Sequence, residues 1–308
     1  MKSKTIVHAS FSYEKPRYVT GRSLIVTFRW IFLALLPALI GALSPLGATQ
    51  AAEPQVPVLW DAKERLPKPD LSALPRLRFL TTTDFPPFNF LDGSGRLSGF
   101  HIDLARAICA ELGVVEKCQV QALPWNELED ALQKGEGEAI IAGIAATPAS
   151  REKYAFSRSY MQFPARFIMP KAKAFAEPIL DKLRSKRVGV VAGSAHEKML
   201  RDYFKTVQVV TFDKPEDLYA DLKADKIDAA FGDGMRFSFW LGGSDAAGCC
   251  RFAGGPYLAP EYLGSGMAIA TRKSDTALAA AFDYALQEIS IKGTFAEFYL
   301  RYFPVSFF

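Results

Sequence analysis

The sequence predicts an α/β fold with two lobes, each built on a mostly parallel sheet flanked by helices. Two series of alternating short apolar runs and longer helical patterns support this prediction, one from about residue 77 and the other from about residue 186. The two series are joined through residues 163–172, and the chain returns near Gly264, which predicts a double crossover between the lobes. The length of 308 residues suits about two domains.

The first series contains two strands and two helices. Buried strands are predicted at 77–82 and 138–145, where short apolar runs stand between turn-forming residues. Helices are predicted at 102–112 and 125–135, where apolar residues recur every three or four positions, and Gly113 supplies a stop for the first helix.

The second series repeats the strand and helix order and ends in a long helix. Its predicted strands are 187–193, 207–212, 227–233 and 266–271, and its predicted helices are 195–204, 215–225 and 275–291. We therefore expect one lobe at 76–168 plus 267–308 and the other at 169–266.

The N-terminal residues have the pattern of an export sequence. A basic stretch ends at Arg29, an apolar run of about 14 residues follows, and small residues lead to Ala52. The apolar run is shorter than the roughly 20 residues of a membrane span, so 1–52 is predicted to be a signal peptide; an uncleaved N-terminal anchor is the alternative. Six of the 37 basic residues lie in this leader, and the remainder is close to neutral. That balance gives no reason to expect nucleic-acid or membrane-surface binding.

Residues 53–75 hold five prolines and little apolar periodicity, which predicts an extended lead-in segment. The four cysteines fit an oxidising compartment. Cys109 and Cys118 are close enough for a local bridge, although their spacing alone leaves free thiols open. Cys249 and Cys250 are adjacent, so they bridge each other only with strain; ordinary loop thiols are the simpler interpretation.

No motif for covalent, metal or nucleotide chemistry is present. The chain lacks HExxH, a P-loop and GxSxG, and no GxGxxG follows the first strand. The histidines beyond the leader are His101 and His196. We expect His101, just before a helix, to be a surface or capping residue, and we expect no cofactor, metal or catalytic residue.

Ligand-binding residues are predicted where strands end. Ligands of parallel α/β sheets gather at the carboxyl ends of strands, which places Phe85 to stack on a ligand; capping the core is its alternative role. Arg151, at a helix start, can pair with a carboxylate, and Asp233, at the end of a strand, can accept an ammonium group or cap the next helix. Ser194 and Ala195 begin a second helix whose backbone N–H groups suit an anion. Together these residues describe a site for a zwitterion.

The order and spacing of several motifs resemble those of the family 3 extracellular solute-binding proteins, the periplasmic receptors of polar amino-acid ABC transporters. The likeness spans about residues 76–303 and consists of DFPPF, GxLxGFxIDLAxAI, ATPxxR with FSxxY, VGVxxGS, KIDAAxxD and GMAIATRK. It implies a type II periplasmic-binding-protein fold with a double-strand hinge.

The resemblance also implies roles for individual residues. Phe85 would cover the ligand, while Gly143 and Ala145 would meet its amino and carboxylate groups. Arg151 resembles the carboxylate-binding arginine, Ala195 the N–H donor of the second lobe, and Asp233 the ammonium acceptor. The pair Cys109 and Cys118 resembles a small disulfide of some basic-amino-acid receptors.

Two positions depart from the family pattern. Ala145 stands where a Ser or Thr is usual, which removes a hydroxyl hydrogen bond. Arg151 lies four residues after Thr147 instead of three, and Ser150 occupies the usual place. One residue turns a helical side chain by about 100°.

The function predicted from the sequence is a periplasmic, monomeric binding protein. It would capture an amino acid or related zwitterion between its lobes and present it to an inner-membrane ABC permease, without nucleic acid. Two alternatives remain: an enzyme similar to cyclohexadienyl dehydratase, with Glu197 and His196 near the site, and a sensory or accessory receptor of a periplasmic dehydrogenase system. Arg236 and His196 are candidates for selecting the ligand.

Overall fold

A computed structural model describes residues 56–308 apart from 59, 62 and 176. The predicted signal peptide, 1–52, lies outside the described residues. Within the described range, no helix combines the length and apolar character needed to cross a membrane.

The described chain alternates strands and helices. Its strands are β1 (Leu77–Thr81), β2 (Asp84–Phe85), β3 (Asn89–Leu91), β4 (Leu97–Ser98), β5 (Cys118–Ala122), β6 (Ala139–Ile140), β7 (Tyr154–Phe156), β8 (Ala165–Pro170), β9 (Arg187–Val191), β10 (Gln208–Phe212), β11 (Ala229–Asp233), β12 (Cys250–Tyr257) and β13 (Ala270–Arg272). Its α-helices are α1 (Phe100–Leu112), α2 (Leu128–Gln133), α3 (Pro148–Lys153), α4 (Ala195–Tyr203), α5 (Pro215–Lys223), α6 (Gly234–Gly242), α7 (Pro260–Leu263), α8 (Thr276–Ile291) and α9 (Thr294–Tyr302).

The first large sheet has the order β5-β1-β6-β13-β7. Strands β5, β1 and β6 run parallel, and β13 runs antiparallel to both of its neighbours. Alternate residues of a strand point to opposite sides of the sheet, and helices cover both sides. Phe79 packs in the cluster formed with α1, α8 and α9, whereas Leu80 packs with α2. This arrangement explains why β1 is apolar at nearly every position.

The second large sheet has the order β10-β9-β11-β8-β12. Strands β10, β9 and β11 are parallel, while β8 is antiparallel to β11 and to β12. Met199 and Leu200 of α4 pack on one face, and Leu218 and Leu222 of α5 pack on the other. Each large sheet therefore has its own pair of apolar layers, and the predicted two-lobed α/β fold is confirmed.

Two chain segments connect the sheets and pair with each other. Met161 and Met267 form an antiparallel bridge, and the amide of Met267 donates to the carbonyl of Met161 at 2.8 Å. The predicted lobe bounds stay a prediction, although β8 lies wholly in the second sheet. The first connection therefore ends before residue 165.

The C-terminal residues lie against both parts of the fold. Phe303 and Phe307 are buried in the cluster of the first sheet. The guanidinium of Arg166, at the start of β8, donates to the carbonyl of Phe307 at 3.0 Å and to that of Gly254 at 2.8 Å. Ser238 of α6 hydrogen-bonds the carbonyl of Val305. The end of the chain thus contributes to the region where the two sheets are joined.

Several predicted elements differ in extent from the structure; the strand expected at 266–271, for example, is Ala270–Arg272. The strand expected at 138–145 is confined to Ala139–Ile140, because the chain turns out of the sheet through Gly143, whose φ is +88°. The helix expected at 125–135 begins with a 3₁₀ turn at Trp125–Glu127 before α2. Strand β8 was assigned only as a connection, although five of its six residues are buried.

The cysteines lie in two pairs. Sγ of Cys109, in α1, and Sγ of Cys118, in β5, are 1.93 Å apart, with Cα atoms 6.2 Å apart. The pair ties the helix to the edge strand of the first sheet. Cys249 and Cys250 also have their sulfurs within bonding distance, at 2.29 Å, beside the start of β12.

Candidate functional site

Phe85 lies just beyond the carboxyl end of β1, in the short strand β2. Its ring stacks on that of Phe88, with centroids 4.8 Å apart and planes inclined by 26°. Phe88 is fully buried, whereas Phe85 is only half-buried. The buried ring supports the outer one, so Phe85 keeps one face available while Phe88 serves the core.

Gly143 allows the Phe85 ring to approach the backbone after β6. A Cβ atom at this glycine would stand 2.8 Å from Cε1 of Phe85 and 3.2 Å from Sδ of Met267. The positive φ of +88° also favours glycine. Ala145, two residues on, forms a bridge with Met267. The structure therefore brings Phe85 and Gly143 together, and Ala145 follows Gly143 by two residues.

Replacing Gly143 with Ala is expected to weaken ligand binding about tenfold, because the new methyl group displaces the Phe85 ring. The strained φ adds about 1 kcal/mol of destabilisation. Gly135→Ala is the matched control: φ there is +70°, but no atom lies within 4 Å of the added Cβ. It should cost similar stability and leave affinity unchanged, as measured by calorimetry and thermal unfolding. Equal affinity losses in both variants would contradict the role of Gly143 beside Phe85.

Helix α3 begins in a capping box. Oγ1 of Thr147 accepts the amide of Ser150 at 3.1 Å, and Oγ of Ser150 accepts the amide of Thr147 at 2.9 Å. The Ser150 hydroxyl also donates to the carbonyl of Ala145 at 2.8 Å. Ser150, at the place where the family pattern has arginine, thus fixes the helix entry.

Arg151 points away from this helix entry. Its side chain is exposed, and the guanidinium carbon lies 5.6 Å from the centroid of the Phe156 ring. Its carbonyl accepts a hydrogen bond from Lys273 at 2.6 Å. The contact of Arg151 with a ligand stays a prediction, as do those of the other site residues.

Trp125 is a neighbour of the site that the sequence prediction missed. Its side chain is 56 % exposed, and it borders an open depression of about 440 Å³ together with Ile144, Thr147 and Ser150. It follows the carboxyl end of β5, the edge at which ligands are expected. An aromatic residue directly after a predicted strand would have indicated Trp125, but the sequence did not predict strand β5.

In the second sheet, the predicted residues meet at one edge. Parallel strands β9 and β11 end at Val191 and Asp233. Ser194 caps α4, its Oγ accepting the amide of Glu197 at 3.1 Å. Asp233 caps α6, its Oδ1 accepting the amide of Arg236 at 2.8 Å. Ser194 and Asp233 line the same cavity of about 220 Å³, and Ala195 begins α4 beside it.

The walls of this second-sheet cavity combine aromatic, apolar and charged groups. Tyr219 lines it and stacks on Trp240 at 4.4 Å between centroids. Burial raises the pKa of Tyr219 to about 12. Burial also lowers the pKa of His196, and the charge of Arg236 lowers it further against the opposing effect of Asp233. His196 is therefore neutral at pH 7.

Glu197 has no free carboxylate for acid catalysis. It accepts the backbone amide of Gly193 at 2.7 Å and the guanidinium of Arg201 at 2.9 Å. The Gly193 hydrogen bond and the Arg201 contact lower the pKa of its carboxyl group. Both contacts favour the ionised carboxylate, whereas a general acid must carry the proton that it donates.

His101 is buried, so the expectation of a surface or capping position was wrong. Its Nδ1 lies 2.7 Å from Oδ1 of Asn89, and its Nε2 lies 2.8 Å from the hydroxyl of Tyr160. Asn89 donates in turn to Thr82 at 2.7 Å. All four side chains are fully or almost fully buried. This network connects the end of β1 and the Phe85 loop with the segment that leads to the second sheet.

Residues 77–305 match the sequence model of a protein family described as "bacterial extracellular solute-binding proteins, family 3". The lysine/arginine/ornithine-binding periplasmic protein of Escherichia coli K12 is 32 % identical over 235 residues, covering 75 % of this chain and 89 % of its own.

Solved structures share the fold. The L-cystine solute receptor of Neisseria gonorrhoeae aligns with a TM-score of 0.62 at 17 % identity, covering 75 % of this chain and 94 % of its own. An ancestral cyclohexadienyl dehydratase aligns with the same TM-score at 21 % identity and the same coverage. A binding protein and an enzyme match equally well, so fold likeness alone does not separate the two functions.

Proposed function

The chain belongs to the bacterial extracellular solute-binding proteins of family 3, and we propose that it captures an amino acid or related small zwitterion for an ABC importer. One observation carries the proposal: Ser194, at the start of α4, and the carboxylate of Asp233 line a single cavity. The cavity thus offers an anion for an ammonium group and helix N-terminal amides for a carboxylate.

The half-site on the first sheet completes the proposed arrangement. Phe85 would cover the apolar stem of the ligand with its available face, while the backbone at Gly143 and Ala145 would meet the amino and carboxylate groups. Arg151 is the proposed cation for the carboxylate, a role in which its guanidinium would leave the Phe156 ring. Closure of the two halves about the paired connecting segments would then exclude water.

The proposed place of action is the periplasm. The family description names extracellular proteins, and the Escherichia coli relative is named as periplasmic. An N-terminal signal peptide would export the chain, which would act as a monomer without a cofactor. Its proposed partner is an inner-membrane ABC permease that accepts the closed, loaded form.

We assign binding without catalysis to this site. In the proposed arrangement the Asp233 carboxylate caps α6 through one oxygen and pairs with the ammonium group of the ligand, so it is not used for proton transfer. Incubation with prephenate and with arogenate should leave both compounds unchanged. Formation of their decarboxylated, dehydrated products would show that the protein is an enzyme.

Calorimetric titration of the purified protein with the twenty common L-amino acids tests the proposal. We expect at least one to bind with a dissociation constant in the micromolar range or below, and to raise the unfolding temperature. Absence of binding by every amino acid would contradict the proposed function.

A further inference from the structure

Arg236 brings a cation to the second-sheet cavity. It lies in the first turn of α6, where its own amide donates to Asp233, and this exposed residue lines the cavity beside Ser194, His196 and Tyr219. The charge of Arg236 lowers the pKa of His196 and counteracts the rise in the pKa of Tyr219. All three residues line the same cavity.

This guanidinium has no anionic partner in the described part of the chain. Fifteen ion pairs occur there, from Arg76–Glu138 to Arg301–Asp103, and none includes Arg236. By contrast, Arg187 and Arg201 on neighbouring elements are both paired with carboxylates. The cavity therefore holds a cation whose hydrogen-bonding capacity is not used by an ion pair.

The Asp233 carboxylate is assigned to the ammonium group of the ligand, so in the proposed arrangement it is not left over to offset the charge of Arg236 for a cationic side chain. Asp233 is the acidic lining residue of the cavity, and one oxygen of that carboxylate already caps α6. His196 is neutral. The remaining walls, formed by Leu218, Phe231 and Phe237 among others, are apolar. A ligand with a cationic side chain would meet like charge here, whereas a short apolar stem ending in an anion would be complemented.

We propose that Arg236 selects the ligand class: the cavity takes an amino acid whose side chain ends in a carboxylate, and Arg236 binds that second anionic group. This inference rests on the proposed function. The ligand proposed for this chain therefore differs from those of its Escherichia coli relative, which is named for lysine, arginine and ornithine. Arg236 acts on the side chain of the ligand, while Asp233 keeps the ammonium group.

The test is a calorimetric comparison of L-glutamate, L-aspartate, L-glutamine, L-lysine and L-arginine with the purified protein, Arg236→Gln and Arg251→Gln. Arg251 is an exposed arginine of β12 outside the cavity and serves as the matched control. We expect an acidic amino acid to bind at least tenfold more tightly than the cationic ones. Arg236→Gln should weaken its binding roughly 10- to 100-fold, the range for a lost charged hydrogen bond. Arg251→Gln should change nothing.

Three outcomes would overturn the inference. Tighter binding of lysine or arginine than of glutamate and aspartate would do so while leaving the proposed function intact. Acidic binding that survives Arg236→Gln would show that another group holds the side chain. Failure of every amino acid to bind would remove the proposed function as well. Thermal unfolding of each variant checks that all the proteins compared are folded. Arg236→Lys should keep part of the preference for acidic amino acids, because it keeps the positive charge.

Discussion

Replacing Asp233 with Asn is expected to weaken binding of an α-amino acid by about 30- to 1000-fold without changing the stability of the protein. Loss of one partner of a desolvated charge pair costs about 2–4 kcal/mol, because the other charge is left unpaired. The carboxylate of Asp233 is the negative charge among the groups that line the second-sheet cavity. The ammonium group of a bound ligand would lose that partner.

Asn is the informative substitution because it separates the two roles of Asp233. An Asn side-chain oxygen caps a helix about as well as an Asp oxygen does, so the bond to the amide of Arg236 is kept. Asp181→Asn removes an exposed carboxylate elsewhere in the chain and is the matched control. Calorimetry should show a large loss of affinity in the first variant and none in the second. If Asp233→Asn binds as tightly as the unmodified protein, Asp233 serves only as a helix cap.

The second large effect is a loss of stability in mild acid that arises from His101. Burial lowers the pKa of His101 to about 3 in the folded protein, whereas histidine in an unfolded chain titrates near 6.5. Below pH 6.5 His101 is therefore protonated in the unfolded state but remains neutral in the folded state. The stabilisation is present above pH 6.5 and is lost as the pH falls toward 3. Between pH 7.5 and 4.5 the loss from this residue is about 2–3 kcal/mol.

This contribution is measured by denaturant unfolding at several pH values, as the difference in the free energy of unfolding between the unmodified protein and a His101 variant. His101→Gln removes the titrating group and should be less stable at pH 7.5, but its stability should fall by about 2–3 kcal/mol less on acidification. Tyr160→Phe removes the hydroxyl partner at 2.8 Å and keeps the buried imidazole, so its pH dependence should remain steep. Identical pH dependence in His101→Gln and the unmodified protein would show that His101 can be protonated in the folded state.

One physical reason allowed the sequence to predict the fold and to place candidate site residues side by side in pairs. Parallel strands end at the same edge of a sheet, so residues following two such strands meet although they are far apart in the chain. Ser194 and Asp233 follow β9 and β11, and they line one cavity. Phe85 and Gly143 follow β1 and β6 in the same way, and a Cβ at Gly143 would contact the Phe85 ring.

Other site features depend on contacts that a linear pattern does not contain. Tyr219 and Trp125 lie in helical patterns, where an aromatic side chain is equally suited to the core. His101 was misassigned because its partners come from distant positions, Asn89 and Tyr160, whose approach depends on packing of the whole first lobe. The Arg151 side chain lies over the Phe156 ring, a position that the sequence pattern does not specify.

The most direct test of the account is whether binding requires both charges of an α-amino acid. The tightest-binding amino acid of the calorimetric screen would be compared with its decarboxylated amine and its α-hydroxy acid; for L-glutamate these are 4-aminobutyrate and 2-hydroxyglutarate. We expect each analogue to bind at least about 30-fold more weakly, because each leaves one half of the zwitterion site without its charge. Binding of either analogue with the affinity of the amino acid would contradict a zwitterion site built on Asp233 and the start of α4.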